Sequence, residues 1–241
     1  MSENRKFSVL MSVYIKENPT FLEEAVESIL HQTLKPSEVV IVEDGPLTPE
    51  LYQVLEKLEA QSSIPIKRCP LEQNRGLGLA LQYGVLQCQY DVIARMDTDD
   101  IAVEDRFEQQ FDLMEKENLD LLGGHIAEFI DQPDEIVSYR RVPIKHEDIV
   151  AYQRMRSAFN HMTVMFKRKM VLKAGNYEDG LYMEDDLLWL NMISAGARTG
   201  NVDQILCKVR VGAGMFERRG GLRYLKLYRQ ARQRMHARGQ I

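Results

Sequence analysis

The chain has few cysteines, no long apolar run and a single tryptophan. Its three cysteines, Cys69, Cys88 and Cys207, are far apart and form no CxxC pair, which argues against a zinc ribbon or a disulfide framework. No apolar run approaches the roughly 18 residues of a membrane-spanning helix. The stretch MSENRKFSVL lacks the apolar core and cleavage site of a signal peptide. We therefore expect a cytoplasmic protein with free, buried thiols.

The charge of the chain is unevenly distributed. The 241 residues carry a formal net charge of −5, but residues 215–241 hold eight basic residues against the single acid Glu217. A basic tail on an acidic body indicates an anionic partner, either a phosphate group, a membrane surface or a nucleic acid. Because a nucleic-acid-binding protein usually has a basic core as well, we expect no nucleic-acid partner.

Strand and helix patterns alternate through the first hundred residues. Capping patterns begin two of the helices, one at Thr20 with Glu23 and one at Thr48 with Pro49. This alternation predicts an α/β fold with a mainly parallel central sheet and helices on both faces. The predicted strands are FSVLMSVY, VVIV, 64–69 and 91–96, and the helices between them follow residues 20, 48 and 76.

The second half is less regular. The run LDLLGGHIAEFI predicts strands that are broken at Gly123-Gly124, and Arg106 is expected to form a structural salt bridge at a helix start. The predicted helices are 105–118, 145–155, 168–174 and 184–195, and the predicted last strand is 205–211.

Acidic residues follow the fourth predicted strand, in the sequence RMDTDD. Asp97 and Asp99 form a D-x-D pair at the carboxyl end of a strand, where parallel sheets bind ligands. Most isolated D-x-D pairs are solvated turn residues, but here a buried-type strand precedes the pair and a third aspartate follows it. Carboxylate oxygens are ligands that Mn²⁺ and Mg²⁺ prefer. The sequence therefore predicts a divalent metal site.

The order of several motifs resembles the family 2 glycosyltransferases, which have the GT-A fold. The resemblance runs from about Phe7 to Val211, through SVLMSVYIKENPTFLEEAVESILHQT, VVIVEDG, NRGLGLALQYG, ARMDTDDI, NHMTVMFKR and YMEDDLLWL. It implies a Rossmann-like GT-A domain over residues 1–214, with a nucleotide-binding half (1–100) and an acceptor-binding half (101–214). The basic helical tail, 215–241, follows this domain.

The resemblance also implies the reaction and the donor-binding residues. An inverting transfer from a UDP-sugar would use Asp97 and Asp99 for the Mn²⁺ or Mg²⁺ ion, with Asp97 also near the ribose. Asp44 matches the residue that binds the base, although most members have two aspartates where this chain has Glu43-Asp44. The remaining positions that match the donor site are Ser12, Tyr14 and Arg75.

Further candidates lie near the predicted acceptor. Asp185 matches the catalytic base, although acids at a helix start are also explained by the helix dipole. Glu184 and His161 are candidates for acceptor binding, and a structural histidine is the alternative for His161. Trp189 is either a core residue or a platform for the acceptor sugar. The last two candidates, Arg218 and Arg219, lie where a loop could close over a diphosphate.

The tail has an apolar stripe at helical spacing, formed by Leu225, Tyr228, Ala231 and Met235. It predicts a helix that either docks on the domain or lies on anionic lipid. The expected acceptor is a saccharide, also in lipid-diphosphate-linked form, for surface polysaccharide synthesis. The rival functions are metal-dependent phosphoryl transfer, for which a D-x-D-x-T motif is missing at Ile101, and a non-enzymatic nucleotide- or nucleic-acid-binding module.

Overall fold

The computed structural model of the chain describes residues 5–179, 183–212 and 221–241. Strands and helices alternate in the first half. They are β1 (Phe7–Val13), α1 (Pro19–Leu30), β2 (Glu38–Glu43), α2 (Pro49–Gln61), β3 (Ile66–Pro70), α3 (Leu77–Gln87) and β4 (Val92–Arg95). The second half adds β5 (Ile101–Ala102), α4 (Arg106–Glu117), β6 (Leu121–Phe129), β7 (Ile136–Arg140), α5 (His146–Gln153), β8 (Met165–Lys167), α6 (Arg168–Lys173), α7 (Glu184–Ser194), β9 (Thr199–Arg210) and α8 (Gly221–Ala237).

All nine strands of the described residues belong to one sheet, in the order β3-β2-β1-β4-β8-β6-β9-β5, with β7 paired to β6. Strands β1 to β4 are mutually parallel, and β6 runs parallel to β9. Strand β8 is antiparallel to both β4 and β6. The parallel group β1–β4 and the parallel pair β6 and β9 therefore point in the same direction. The α/β fold with a mostly parallel sheet is confirmed, and the sheet takes strands from both predicted halves.

The alternation of side chains along β1 divides the core between the two faces of the sheet. Phe7, Val9 and Met11 share one core cluster with residues of α1, α2 and α4, whereas Leu10 belongs to the other cluster, with residues of α3 and α7. Successive side chains of a strand point to opposite faces, so a strand covered on both sides must be apolar throughout. Both faces of this sheet are therefore covered by helices, as the sequence predicts.

The first helix is capped two residues earlier than the predicted capping box implies. Pro19 occupies the first helical position, and the Oδ1 atom of Asn18 accepts hydrogen bonds from the N–H groups of Thr20 (2.9 Å) and Phe21 (3.4 Å). Asn18 is therefore the cap, and the predicted role of Thr20 with Glu23 is wrong. The predicted cap of α2 is confirmed, since Thr48 Oγ1 accepts from the N–H of Leu51 at 3.3 Å.

The predicted strand break at Gly123-Gly124 is also wrong, because β6 is continuous through both glycines. A Cβ atom at Gly123 would lie 2.8 Å from Asn201 Oδ1, and one at Gly124 would lie 2.5 Å from a Leu206 methyl group. These glycines therefore allow the close approach of β9. Strand β9 itself begins at Thr199, six residues before its predicted start.

Helix α8 docks on α7 through its second half. Ala231 and Met235 are buried, and Met235 packs with Leu187 and Leu190 of α7. Of the predicted stripe, Ala231 and Met235 form the docked face, whereas Tyr228 is half-buried and Leu225 is 61% exposed. No helix in the described ranges is long and apolar enough to span a membrane.

Candidate active site

Three carboxylates converge where β4 ends. Asp97, Asp99 and Asp100 each offer an oxygen atom, and these atoms lie within 4.8 Å of one another. Asp97 and Asp99 are half-buried, whereas Asp100 is buried. Such a set of oxygen ligands fits a hard divalent cation. The sequence predicts Asp97 and Asp99 as metal ligands but not Asp100. The third aspartate of the motif could have indicated this further ligand.

Asp100 also joins this acidic cluster to the end of β9. Its Oδ1 atom accepts a hydrogen bond from the backbone N–H of Arg210 at 3.0 Å. Burial raises the pKa of Asp100 well above its ordinary value, and repulsion from Asp99 and Asp97 raises it further. Two physical costs, desolvation and like-charge repulsion, thus fall on the same carboxyl group.

A buried cation lies beneath the cluster. Arg95 is 1% exposed, and its Nη2 atom forms an ion pair with Asp97 Oδ1. Within the part of the chain that the structure describes, the buried Nε and Nη1 atoms of Arg95 have no hydrogen-bond partner. Arg95 is not among the residues predicted from the sequence, although a charged residue at the end of an apolar strand is a signal that could have identified it.

Arg106 supports this strand end from the helix α4. Its Nη2 atom donates to the carbonyl of Arg95 at 2.7 Å, and its Nε atom donates to Gln110 Oε1 at 3.0 Å. Burial lowers the pKa of Arg106. The predicted salt bridge is wrong, because its described hydrogen bonds go to this carbonyl, to Gln110 and to the sulfur atoms of Met96 and Cys207.

Asp44, at the end of β2, fixes the segment before α3. Its two carboxylate oxygens accept the backbone N–H groups of Arg75 (2.7 Å) and Gly76 (3.0 Å), and its side chain is buried. Gly76 has a φ of +85°, a conformation that favours glycine. Glu43, the departure from the usual pair of aspartates, instead accepts from Arg68 Nε at 2.6 Å. The side chain of Arg75 is exposed.

Ser12 and Tyr14 lie at the neighbouring end of β1. Ser12 pairs in register with Val42, and the backbone N–H of Asp44 donates to the carbonyl of Val13 at 2.8 Å. Both predicted side chains are half-buried. The carboxyl ends of β1, β2 and β4 therefore carry the predicted donor residues along one edge of the sheet.

Three acids occupy the first turn of α7, and Asp185 is the central one. Burial raises the pKa of Asp185 to about 8, with further contributions from the charges of Asp186 and Glu184. Burial also raises the pKa of Glu184. Asp186 accepts a hydrogen bond from Gln153 Nε2 at 2.8 Å, which ties this turn to α5.

The starts of α3 and α7 are in direct contact. A Cβ atom at Gly78 would lie 2.4 Å from the carbonyl oxygen of Glu178 and 3.0 Å from the Cβ atom of Glu184. The charge of Arg95 acts on the same turn, since it opposes the rise in the pKa values of Glu184 and Asp185. The charge of Arg95 therefore acts on acids from two segments, those that follow β4 and those that begin α7.

An aromatic cluster forms around His161. His161 Nε2 and the hydroxyl group of Tyr177 are 2.9 Å apart, and the Trp189 ring centroid is 5.8 Å from that of His161. Burial lowers the pKa of His161 well below its ordinary value, so the ring is neutral. Burial raises the pKa of Tyr177, a residue that the sequence motifs do not identify. Trp189 is fully buried, so its core role fits the structure and a platform role does not.

Two predicted residues, Arg218 and Arg219, lie outside the described residues. The loop over the diphosphate therefore stays a prediction. The three cysteines are buried and free, as expected.

Comparison with known proteins identifies the family. Residues 8–175 match the profile of Glycosyl transferase family 2, a span that includes Asp44, Asp97 and Asp99 and ends before α7. The chain is 42% identical over 221 residues to the amylovoran biosynthesis glycosyltransferase AmsE of Erwinia amylovora, covering 91% of this chain and 82% of that one. It is 39% identical over 220 residues to the UDP-Gal:alpha-D-GlcNAc-diphosphoundecaprenol beta-1,3-galactosyltransferase of Escherichia coli, covering 91% and 79%.

A solved structure supports the fold. The crystal structure of S. aureus TarS 1–349 in complex with UDP-GlcNAc matches with a TM-score of 0.68 and 18% identity, over 94% of this chain and 65% of that chain. At this identity the likeness concerns the fold alone. Taken with the profile match and the relatives, it leads to one conclusion: this chain belongs to glycosyl transferase family 2 and has the GT-A type of fold.

Proposed function

We propose that the chain is an inverting, metal-dependent glycosyltransferase that moves a hexose or N-acetylhexosamine from a UDP-sugar to a saccharide acceptor. Family membership supports the reaction class. The names of two relatives, one in amylovoran biosynthesis and one acting on a diphosphoundecaprenol-linked sugar, support surface polysaccharide or O-antigen synthesis with a lipid-linked acceptor. We propose that the protein works at the cytoplasmic face of a membrane.

One relationship supports the mechanism: Arg95 forms an ion pair with Asp97, and its charge also acts on Glu184 and Asp185 from a remote part of the chain. Inversion is a single displacement at the anomeric carbon, so the base must approach from the side opposite the leaving group. The proposed base, Asp185, lies in α7, and the proposed diphosphate-binding acids follow β4. Because they belong to separate segments, they can lie on opposite sides of the sugar.

Asp185 is the proposed base. It would accept the proton of the acceptor hydroxyl group as the oxygen attacks the anomeric carbon. An ordinary aspartate is a weak base, but burial and the neighbouring acids raise the pKa of Asp185 to about 8. This value lies close to a working pH, where a carboxylate accepts a proton most effectively. Glu184 would lie beside the incoming hydroxyl group.

Asp97, Asp99 and Asp100 would hold the divalent cation, Mn²⁺ or Mg²⁺. Their oxygens lie close together, and their mutual repulsion is the feature that a cation would relieve. A cation bound there would supply positive charge for the departing diphosphate. Arg95 keeps Asp97 in place by their ion pair.

The nucleotide would lie along the edge formed by Ser12, Tyr14 and the 75–76 segment. Asp44 was expected to contact the base directly, but its two oxygens already accept the N–H groups of Arg75 and Gly76. We therefore propose two roles for Asp44: it contacts the base, and it shapes the base pocket by holding the segment of Arg75 and Gly76. The exposed guanidinium of Arg75 would contact the base or the phosphates.

The test compares Asp185→Asn with Asp186→Asn. Both replace one acid of the same helical turn with its isostere, and the new amide oxygen at position 186 would still accept the hydrogen bond from Gln153. With a UDP-sugar, Mn²⁺ and a soluble acceptor at pH 9, Asp185→Asn should bind UDP normally and lose transfer about 10²–10⁴-fold. Asp186→Asn should retain transfer.

Two further measurements complete this test. Asp99→Ala should weaken the binding of UDP in the presence of Mn²⁺, and thermal shifts with UDP-, GDP- and dTDP-sugars should identify the donor nucleotide. Transfer by Asp185→Asn at the parent rate would show that another group is the base.

A further inference from the structure

An exposed basic surface spans two elements of the chain. The first element is the turn after α5, residues 154–156, and the second is the first half of α8, residues 225–232. The Nη2 atom of Arg232 donates to the carbonyl oxygen of Arg154 at 2.6 Å, so the two elements are neighbours. We name these two segments together the α5–α8 surface.

Helical geometry places Arg232, Arg229 and Lys226 on one side of α8, whereas the exposed Arg234 lies on another side and donates to the carbonyl oxygen of Asp179. Ala231 and Met235 mark the docked face. Successive residues of a helix are rotated by about 100°. Around the helix axis, starting from the docked face, the order of these side chains is Arg232, Leu225, Arg229 and then Lys226. Leu225, Lys226 and Arg229 are exposed, and Arg232 is half-buried. This arc therefore continues the basic surface that begins at Arg154.

The same surface exposes two large apolar side chains. Met155 is 67% exposed and Leu225 is 61% exposed, and both have cations beside them in the sequence. Neither 154–156 nor 225–238 contains an acidic residue. Lys or Arg side chains combined with exposed apolar groups are typical of surfaces that lie in the headgroup region of an anionic bilayer.

We propose that the α5–α8 surface binds the face of an anionic phospholipid bilayer. The cations would face the lipid phosphates, and Met155 and Leu225 would enter the boundary between headgroups and acyl chains. A second copy of the chain is a poorer occupant, because two such surfaces carry the same charge. A nucleic acid would use the cations but would leave both apolar side chains without a role.

The position of this surface relates it to the active site, and this relation rests on the proposed function. Gln153, the last residue of α5, donates to Asp186 in the first turn of α7. Helix α8 packs on the same helix through Met235. A bilayer on the α5–α8 surface would thus lie beside the turn that carries Asp185, where a lipid-linked acceptor must arrive.

The experiment measures binding of the full chain to vesicles of phosphatidylglycerol and phosphatidylethanolamine, with phosphatidylcholine vesicles as the neutral reference. The variant Lys226→Ala Arg229→Ala should lower the partition coefficient about 30-fold, since each basic residue near an anionic surface contributes a factor of about five. The matched control, Lys35→Ala Lys116→Ala, removes two exposed cations from other elements and should bind as the parent does.

A second variant tests the apolar contribution. Met155→Ser Leu225→Ser should weaken binding about tenfold even at high salt, where the electrostatic attraction is screened. Circular dichroism should show that every variant is folded, because all of the changed side chains are exposed.

Three outcomes would overturn the proposal. The first is that the parent binds neutral and anionic vesicles equally, and the second is that the Lys35→Ala Lys116→Ala control loses as much binding as the surface variants do. The third is that the parent forms a dimer and only the α5–α8 variants are monomeric. Transfer to a soluble acceptor is measured in parallel and should not change in these variants. Failure of the proposed function would appear as absent transfer in the parent, whatever the vesicle result.

Discussion

The guanidinium of Arg95 forms an ion pair with Asp97, and the arginine is buried although two of its nitrogen atoms have no hydrogen-bond partner among the described residues. The guanidinium depends on this carboxylate, because Arg95 has lost nearly all of its hydration. This ion pair therefore stabilises the end of β4 and at the same time holds Asp97, a proposed metal ligand, in position.

Replacement of Asp97 by alanine should lower the free energy of unfolding by about 2 kcal/mol. Loss of the partner of a buried charge costs more, but relief of the repulsion on Asp99 and Asp100 offsets part of it. Urea denaturation measures the change. Asp134→Ala, which removes an exposed ion pair with Lys208, is the control and should have little effect. Equal stability of Asp97→Ala and the parent would mean that Arg95 is satisfied by other groups.

The rate of transfer should depend on pH through Asp185. The proposed base is active when deprotonated, so kcat should rise as the pH increases through about 8, the pKa to which burial raises this group. Asp186→Asn removes a neighbouring negative charge, which lowers the pKa of Asp185 and moves the rise to lower pH. Initial rates between pH 5.5 and 9.5 at saturating substrates measure both profiles. Identical profiles for parent and variant would contradict this assignment of the base.

Gly78→Ala should reduce kcat because its Cβ atom would press on the backbone of Glu178 and on the Cβ atom of Glu184 in the first turn of α7. That atom would lie 2.4 Å from the carbonyl of Glu178, which is backbone and cannot move cheaply. The matched control is Gly84→Ala in the same helix, whose Cβ atom would meet the Leu10 and Val42 side chains instead. Both variants should lose roughly 1–3 kcal/mol of stability from overpacking. Only Gly78→Ala should lower kcat, and a similar loss in both variants would argue against a link between α3 and the base.

Asp44→Ala should raise the Km for the donor by about tenfold or more, because two backbone N–H groups lose a charged acceptor. The same variant should also lower the melting temperature. Arg75→Ala removes an exposed side chain and leaves those two N–H groups bound to Asp44. If Arg75 contacts the donor only through its guanidinium, this variant should raise the Km without a change in melting temperature. Initial rates at varied donor concentration and thermal melts separate the two effects, and a normal Km for Asp44→Ala would exclude both roles of Asp44.

The sequence alone determined the features that depend on neighbouring residues. The apolar runs of β1 and β2 identified strands that are covered on both faces, and Thr48-Pro49 identified a helix start. The ordered motifs, the D-x-D pair among them, indicated the family that the comparisons confirm. Local patterns suffice here because burial, helix capping and strand ends leave a period or a residue preference in the chain itself.

Only the tertiary structure decided which remote groups meet. Asp44 holds residues 31 and 32 positions away, Arg95 acts on acids at both ends of the site, and Trp189 is covered on all sides. The docking of α8 on α7 likewise leaves Leu225 exposed while Met235 is buried. Periodicity reports that a side chain is covered but does not report which element covers it, because that choice depends on the packing of the whole chain.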